Sequence, residues 1–196
     1  GPAGRITHED LDAFVAGGNR PASRTETKPD TSVREIPVIG LRRRIAERLA
    51  NAKRRIPHIT IIEEIDVTAL EDVREQLNAD RRDSRTKLTM LPFLMAAIVR
   101  AVREQPGLNA HYDDDNEIIR EFAAVHIGIA TQTKAGLMVP VVRHAEMMSI
   151  WDQAAELARV AEAARNATAT RDELTGSTIT ISSLGALGAI ATTPII

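Results

Sequence analysis

The residues best suited to chemistry lie near the end of the 196-residue chain, where "STITISS" sets two adjacent serines, Ser182 and Ser183, between a strand-like alternation and glycines. A hydroxyl fixed there can donate a hydrogen bond to a developing oxyanion, the service that acyl transfer asks of it. Serines at strand ends more often satisfy nearby backbone, so the pair alone proves nothing. Such a reaction also needs a base. The five histidines, His8, His58, His111, His126 and His144, are scattered, and no two stand four apart as on a metal-binding helix face. No metal site is expected. The chain has no cysteine, which excludes thiolate ligands, disulfides and cysteine nucleophiles. No G-x-S-x-G elbow and no Walker or dinucleotide glycine pattern occurs; "GALGA" follows a strand but has the wrong spacing. Arg74, flanking the apolar stripe of its helix, could clamp a phosphate through its guanidinium fork, although a snorkelling surface arginine is the commoner reading.

Several elements must position these groups. Thr7 with Asp10 starts a short helix whose stripe is Leu11, Phe14 and Val15. Residues 17–34 have almost no large apolar side chain and read as a flexible linker. From Leu41 a basic amphipathic helix places Leu41, Ile45, Leu49 and Ile56 near helical spacing. "HITIIEEIDV" puts Ile59, Ile61, Ile65 and Val67 on one strand face, interrupted by Glu63, and Thr68 to Glu71 matches a capping box. Thr89 is the expected cap of "MLPFLMAAIVRAV", a central helix that tolerates Pro92 in its first turn. "VHIGIATQTKAGLMVPVV" reads as two strands around a turn at Lys134 to Gly136. Ser149 to Asp152 and Thr170 to Glu173 open two further helices before the final strand. Helices and strands mix without strict alternation, so the expected class is α+β, a two-layer α/β arrangement with a mixed sheet covered by helices.

Composition narrows the function classes. The chain is 43% hydrophobic and 27% charged, with formal net charge -2, giving no overall reason for a nucleic-acid or anionic-membrane partner. Aromatic content of 3% leaves little for base stacking. No apolar run is long enough to span a bilayer and no signal-peptide pattern opens the chain, so a cytoplasmic protein is expected.

Taken together, the motifs resemble a known family. "GPAGRITHEDLDAF" is similar to the second half of a peripheral subunit-binding domain. From "PVIGLRRRIAERLANAKRRIPHIT" onward the chain resembles the core of dihydrolipoyl acyltransferases of 2-oxo acid dehydrogenase complexes. Further matches are "EEIDVTALEDVREQLN", "KLTMLPFL", "LNAHYDD", "VHIGIATQTKAGLMVPVVRHA" and "ELTGSTITISSLGALG". The wording is most like the branched-chain type. The resemblance implies residues 1–16 as half of the subunit-binding domain, 17–34 as linker, and 35–196 as a chloramphenicol-acetyltransferase-like catalytic domain, incomplete at its C-terminus.

The resemblance also implies the reaction: transfer of an acyl group between a dihydrolipoyl arm and coenzyme A, with a histidine as base and a hydroxyl on the oxyanion. Carried onto this chain, the hydroxyl is that of Ser182, with Ser183 beside it in the coenzyme A channel. Arg74, Thr89, Gln132 and Ala161 fall at family positions that contact coenzyme A. The family's base belongs to a His-x-x-x-Asp-Gly motif that none of the five histidines occupies, so the 196 residues alone are expected to be inactive. Lipoate would be carried on a lipoyl domain outside this chain. The implied partners are the 2-oxo acid decarboxylase and dihydrolipoyl dehydrogenase components, neither expected to bind half a subunit-binding domain. The implied assembly is a homotrimer built into a 24-subunit cube.

Three other readings compete. Acetyl or succinyl preference within the family is separated by rates with the matching thioesters. A noncatalytic scaffold is separated by whether the natural chain continues to the histidine motif. A nucleic-acid binder rests on seven Lys or Arg between Arg42 and Arg55 and requires strongly salt-dependent DNA binding.

Overall fold

The structure is a computed structural model that describes residues 4–17, 31–183 and 191–195. Two compact units divide at Pro37 and Val38. Most of the expected linker, residues 18–30, and the run 184–190 after the serines lie outside the described residues.

In the first unit, helix α1 spans His8–Ala16. Thr7 caps it reciprocally, its Oγ1 accepting from the Asp10 N–H at 3.3 Å while the Asp10 carboxylate accepts from the Thr7 N–H at 2.9 Å. Leu11, Phe14 and Val15 form its apolar stripe, and all three are exposed.

The second unit is built on α2 (Gly40–Arg55), α3 (Thr68–Ala79), α4 (Met90–Glu104) and α5 (Ile150–Arg165). Its strands are β1 (Ala110–Asp113), β2 (Ile118–Glu121), β3 (Ile127–Ile129), β4 (Thr131–Thr133), β5 (Gly136–Met138), β6 (Val141–Val142) and β7 (Ile179–Ile181). The expected pair of strands around Lys134 to Gly136 is broken into four, because the chain leaves the ladder at Ala130 and again at Val139 and Pro140. The inner halves pair as the β4–β5 hairpin. The outer halves, β3 and β6, join the main sheet, ordered β6-β3-β7, with β3 antiparallel to β6 and parallel to β7. The α+β class and the mixed sheet are as expected from the sequence.

The core sits between this sheet and two helices. Met95, Val99 and Val102 of α4 and Leu157 and Val160 of α5 pack on Val125, Ile127, Ile129 and Val142. The close fit at β3 requires Gly128, where an added Cβ would stand 2.9 Å from Val139 Cγ1 and 3.1 Å from Ser177 Cβ. Ser149 caps α5 as expected, whereas Thr170 exchanges bonds with Glu173 ahead of an element whose cap position is Arg171. The Ser149 N–H donates to Asp152 at 3.2 Å and the Thr170 N–H to Glu173 at 2.8 Å, and the second box opens a single 3-10 turn.

Three expectations fail locally. Residues 57–67 form no strand and pair with none among the described residues, and Ile59, Ile61 and Ile65 are exposed. Their alternation supplies one half of a ladder; the other half is not among the described neighbours. The Thr68–Glu71 box does not form. Asp66 accepts first from both the Thr68 N–H (2.9 Å) and the Thr68 hydroxyl (2.6 Å), while Glu71 turns to Arg74. Thr89 occupies the cap position of α4 but makes no side-chain capping bond. Among the described residues no helix is long and apolar enough to cross a membrane.

Candidate functional site

The site begins with a short segment held from behind. Leu88 is fully buried, and the Asn78 side chain brackets its backbone, accepting from the Leu88 N–H at 2.8 Å and donating to the Leu88 carbonyl at 2.9 Å. This fixes Lys87 and Thr89 on either side. Helix α4 follows, and its first turn, with no acidic residue and no side-chain cap, presents the positive end of its dipole there.

Facing it is α5, whose Ala154, Leu157, Ala158, Ala161 and Arg165 recur at helical spacing along one face. Between α4, α5 and the strands lies a cavity of about 400 Å³. Leu91, Ile129 and Leu157 give it apolar walls, and Thr89, Thr131, Gln132 and Ser183 add polar groups. Small side chains on α5 leave the room: alanine at three positions keeps the two helices from closing over it.

Four of the six site residues expected from the sequence, Thr89, Gln132, Ala161 and Ser183, line this cavity together. Ser182 does not. It lies with Thr180, Ile59 and Ile61 on a separate hollow, because side chains alternate along an extended chain and adjacent residues point to opposite sides. Arg74 is not a lining residue either. Its guanidinium is forked onto Glu71, with Nε to Oε2 at 2.7 Å, and Nη1 reaches the Leu88 carbonyl at 3.2 Å. The fork holds the Glu71 carboxyl below its usual range. The sequence reading missed Lys87 and Arg165, the two cations of the wall. Arg165 carried a signal, standing four residues after Ala161 on the same helix face; Lys87 carried none beyond its closeness to Thr89.

No histidine lines the cavity. His126 and His144 meet edge to face with centroids 4.6 Å apart. The Nδ1 of His126 accepts the His144 N–H at 3.0 Å, and the His144 ring lies 3.0 Å from Glu146 Oε1. Burial, with His144 and Arg143 adding to it, pushes His126 below the usual imidazole value. That keeps the ring neutral, as its accepting role requires. Among the described residues no group of three or more acidic or histidine side chains is placed to hold a metal ion.

The family described as 2-oxoacid dehydrogenases acyltransferase (catalytic domain) matches residues 30–196. A lipoamide acyltransferase component of branched-chain alpha-keto acid dehydrogenase complex from Pseudomonas putida is 56% identical over 201 residues, covering 100% of this chain and 47% of its own length. A dihydrolipoyllysine-residue acetyltransferase component of pyruvate dehydrogenase complex from Staphylococcus aureus is 37% identical, with 100% of this chain and 50% of its own covered. The chain thus spans about half the length of the curated relatives it matches. Among solved structures, the dihydrolipoamide acetyltransferase of Azotobacter vinelandii, studied for the role of a serine, a histidine and an asparagine in its catalytic mechanism, superposes with TM-score 0.79 at 36% identity, covering 84% of this chain and 68% of that one. The cubic core of a pyruvate dehydrogenase multienzyme complex gives the same TM-score of 0.79 and the same coverage. A family pattern that runs through 30–196 and a fold shared with solved acetyltransferases lead to one conclusion: the chain belongs to the 2-oxoacid dehydrogenase acyltransferases, in their catalytic-domain family.

Proposed function

We propose that this chain forms the core of a dihydrolipoyl acyltransferase whose complete protein moves a branched-chain acyl group between a dihydrolipoyl arm and coenzyme A. The observation that carries the reading is the 56% identity, over the whole of this chain, to a branched-chain lipoamide acyltransferase component. The cavity supports it. A slot with apolar walls and a few hydroxyl and amide groups suits a pantetheine chain, whose two amides need partners and whose methylenes do not.

In this reading a base takes the proton of the acceptor thiol, the thiolate attacks the thioester carbonyl, and the tetrahedral oxyanion collapses by expelling the other thiolate, which takes up a proton. Ser182 donates its hydroxyl to that oxyanion, while Thr89, Gln132, Ala161 and Ser183 line the coenzyme's path. Arg74 joins them at a phosphate only by giving up Glu71. The base is not one of the five histidines, since no His-x-x-x-Asp-Gly occurs in the 196 residues. We therefore propose that this polypeptide by itself turns over no substrate. Activity of the purified 196-residue protein in thiol acyl transfer would overturn that.

The same proposal includes a homotrimer assembled into a cube, supported by the likeness to a cubic core. It also includes the decarboxylase and dihydrolipoyl dehydrogenase components as partners, and a cytoplasmic site of action. The test of function is kcat/KM of the full-length enzyme with isobutyryl, acetyl and succinyl thioesters side by side; preference for acetyl would transfer the reading to the pyruvate type. Ser182→Ala should lower kcat on the order of 10²–10³-fold with little change in coenzyme binding.

A further inference from the structure

The connection between α3 and α4 carries one side of the cavity wall, since Thr86, Lys87 and Thr89 all line it. Its later part is fixed by the two Asn78 bonds to Leu88. Residues 81–86 have no hydrogen bond to another element among the described residues. The Arg85 N–H donates to the Arg82 carbonyl at 2.9 Å, and Arg81 Nη1 donates to the Arg85 carbonyl at 2.9 Å, both within the loop. One side chain reaches out of it. The Arg85 guanidinium lies over the ring of Trp151, 4.9 Å from its centroid. Trp151 is half-buried in the first turn of α5, three residues before Ala154 of the cavity wall. The Ser149 hydroxyl first, and the Arg85 charge least, hold the neighbouring Asp152 carboxyl below its usual range. Two side chains at the start of α5 therefore feel this one arginine.

We infer that Arg85 and Trp151 form a clasp that holds the 81–87 loop on α5 and so positions Thr86 and Lys87 in the cavity wall. The inference rests on the acyl-transfer reading of the same cavity, in which coenzyme A occupies it. Neither Arg85 nor Trp151 is a lining residue, so both are positioning residues that act through the loop. A cation over an indole face at an open site shifts an equilibrium only about three- to tenfold. That is enough to keep the loop on α5 most of the time and too little to lock it there. The two anchors of the connection differ in kind. Leu88 is buried and doubly hydrogen-bonded, whereas the loop ahead of it is tied across by one contact from an exposed arginine. Opening of the clasp frees Thr86 and Lys87 while Leu88 and α4 stay in place.

The test uses Trp151 itself, the one tryptophan of the 196 residues, together with calorimetric titration of the purified protein with coenzyme A. Arg85→Ala should shift the Trp151 fluorescence and weaken coenzyme A about three- to tenfold. In the full-length enzyme the same variant should raise KM for coenzyme A by that factor with kcat unchanged, and Trp151→Ala should match it. Arg85→Lys and Trp151→Phe, which keep a cation and an aromatic face, should restore most of the loss. Arg85→Gln, which keeps much of the side chain's reach without its charge, should not. Unchanged affinity and KM in Arg85→Ala overturn the inference while leaving the acyl-transfer reading intact. So does an unchanged Trp151 emission, or rescue by Gln as full as that by Lys, which would make packing and not the cation responsible. Failure of the unmutated protein to bind coenzyme A sinks the reading of the cavity, and the inference with it.

Discussion

Two hollows of the second unit differ sharply in make-up. The one between α2 and the β1–β2 hairpin is the larger, about 920 Å³ against about 400 Å³, and is the richer in charge. Its Asp113, Asp114 and Asp115 face Arg48, Arg55 and Arg120. These charges are mostly spent on one another: Arg55 binds Asp114 at 2.7 Å and Asp115 at 2.6 Å, and Arg120 binds Asp113 at 2.6 Å. In the smaller cavity Lys87 meets no acid among the described residues, and Arg165 meets only the exposed Glu162, which is not a lining residue. The difference teaches that neither volume nor charge density marks a binding site. Charge left over after the protein has paired its own groups does, because only that charge is available to a ligand.

The sharpest way to break this comparison is to reverse one charge in each hollow. Lys87→Glu should weaken coenzyme A on the order of 100-fold, since an acid placed in the cavity wall repels the coenzyme's phosphates. Arg120→Glu should change that affinity by less than about twofold, since Arg120 is already paired with Asp113. Equal losses would erase the distinction. Next in size, Asn78→Ala removes both brackets from buried Leu88 and should cost about 2 kcal/mol of stability. It should also loosen Lys87 and Thr89, so coenzyme affinity in titration should fall with the denaturation midpoint. Gly128→Ala should cost a similar amount, about 2 kcal/mol, by overpacking β3 against Val139 and Ser177. Its affinity loss should be smaller, because Gly128 lies outside the wall. Arg55→Ala, measured in the same pair of assays, should leave affinity unaltered.

The smallest effect is one of pH. The Thr170 N–H and then the Arg159 guanidinium hold Glu173 down at about 2, against an ordinary value of 4.5. Its folded pKa is depressed, so its stabilising contribution is complete above 4.5 and is lost as pH falls toward 2. Glu173→Gln should flatten the fall in stability across that window in acid titration monitored by circular dichroism.

What could be read in the sequence was what local chemistry decides. The boxes at Thr7 and Ser149 involve partners three residues apart, and both form. The box at Thr68 is equally well spelled, but it loses to a nearer competitor, Asp66, and to Arg74, which claims Glu71. The alternation over 57–67, interrupted by Glu63, still reads as a strand like β7, yet β7 finds β3 and the earlier segment finds no strand among the described residues. Pairing is a property of neighbours, which periodicity does not reveal. For the site, motif resemblance named Thr89, Gln132, Ala161 and Ser183, and the structure gathers them. It could not name Lys87, which stands out only by the acid that does not line the cavity with it.

The serines at the end of β7 have one more consequence. With Ser183 turned to the cavity and Ser182 to the other side, the strand acts as a partition with one hydroxyl on each side. Its address labels are set by parity. Removing or adding one residue between Thr178 and Ser182 would exchange the two hydroxyls while leaving both serines in the sequence. This stretch should therefore accept many changes of side chain and almost no change of length.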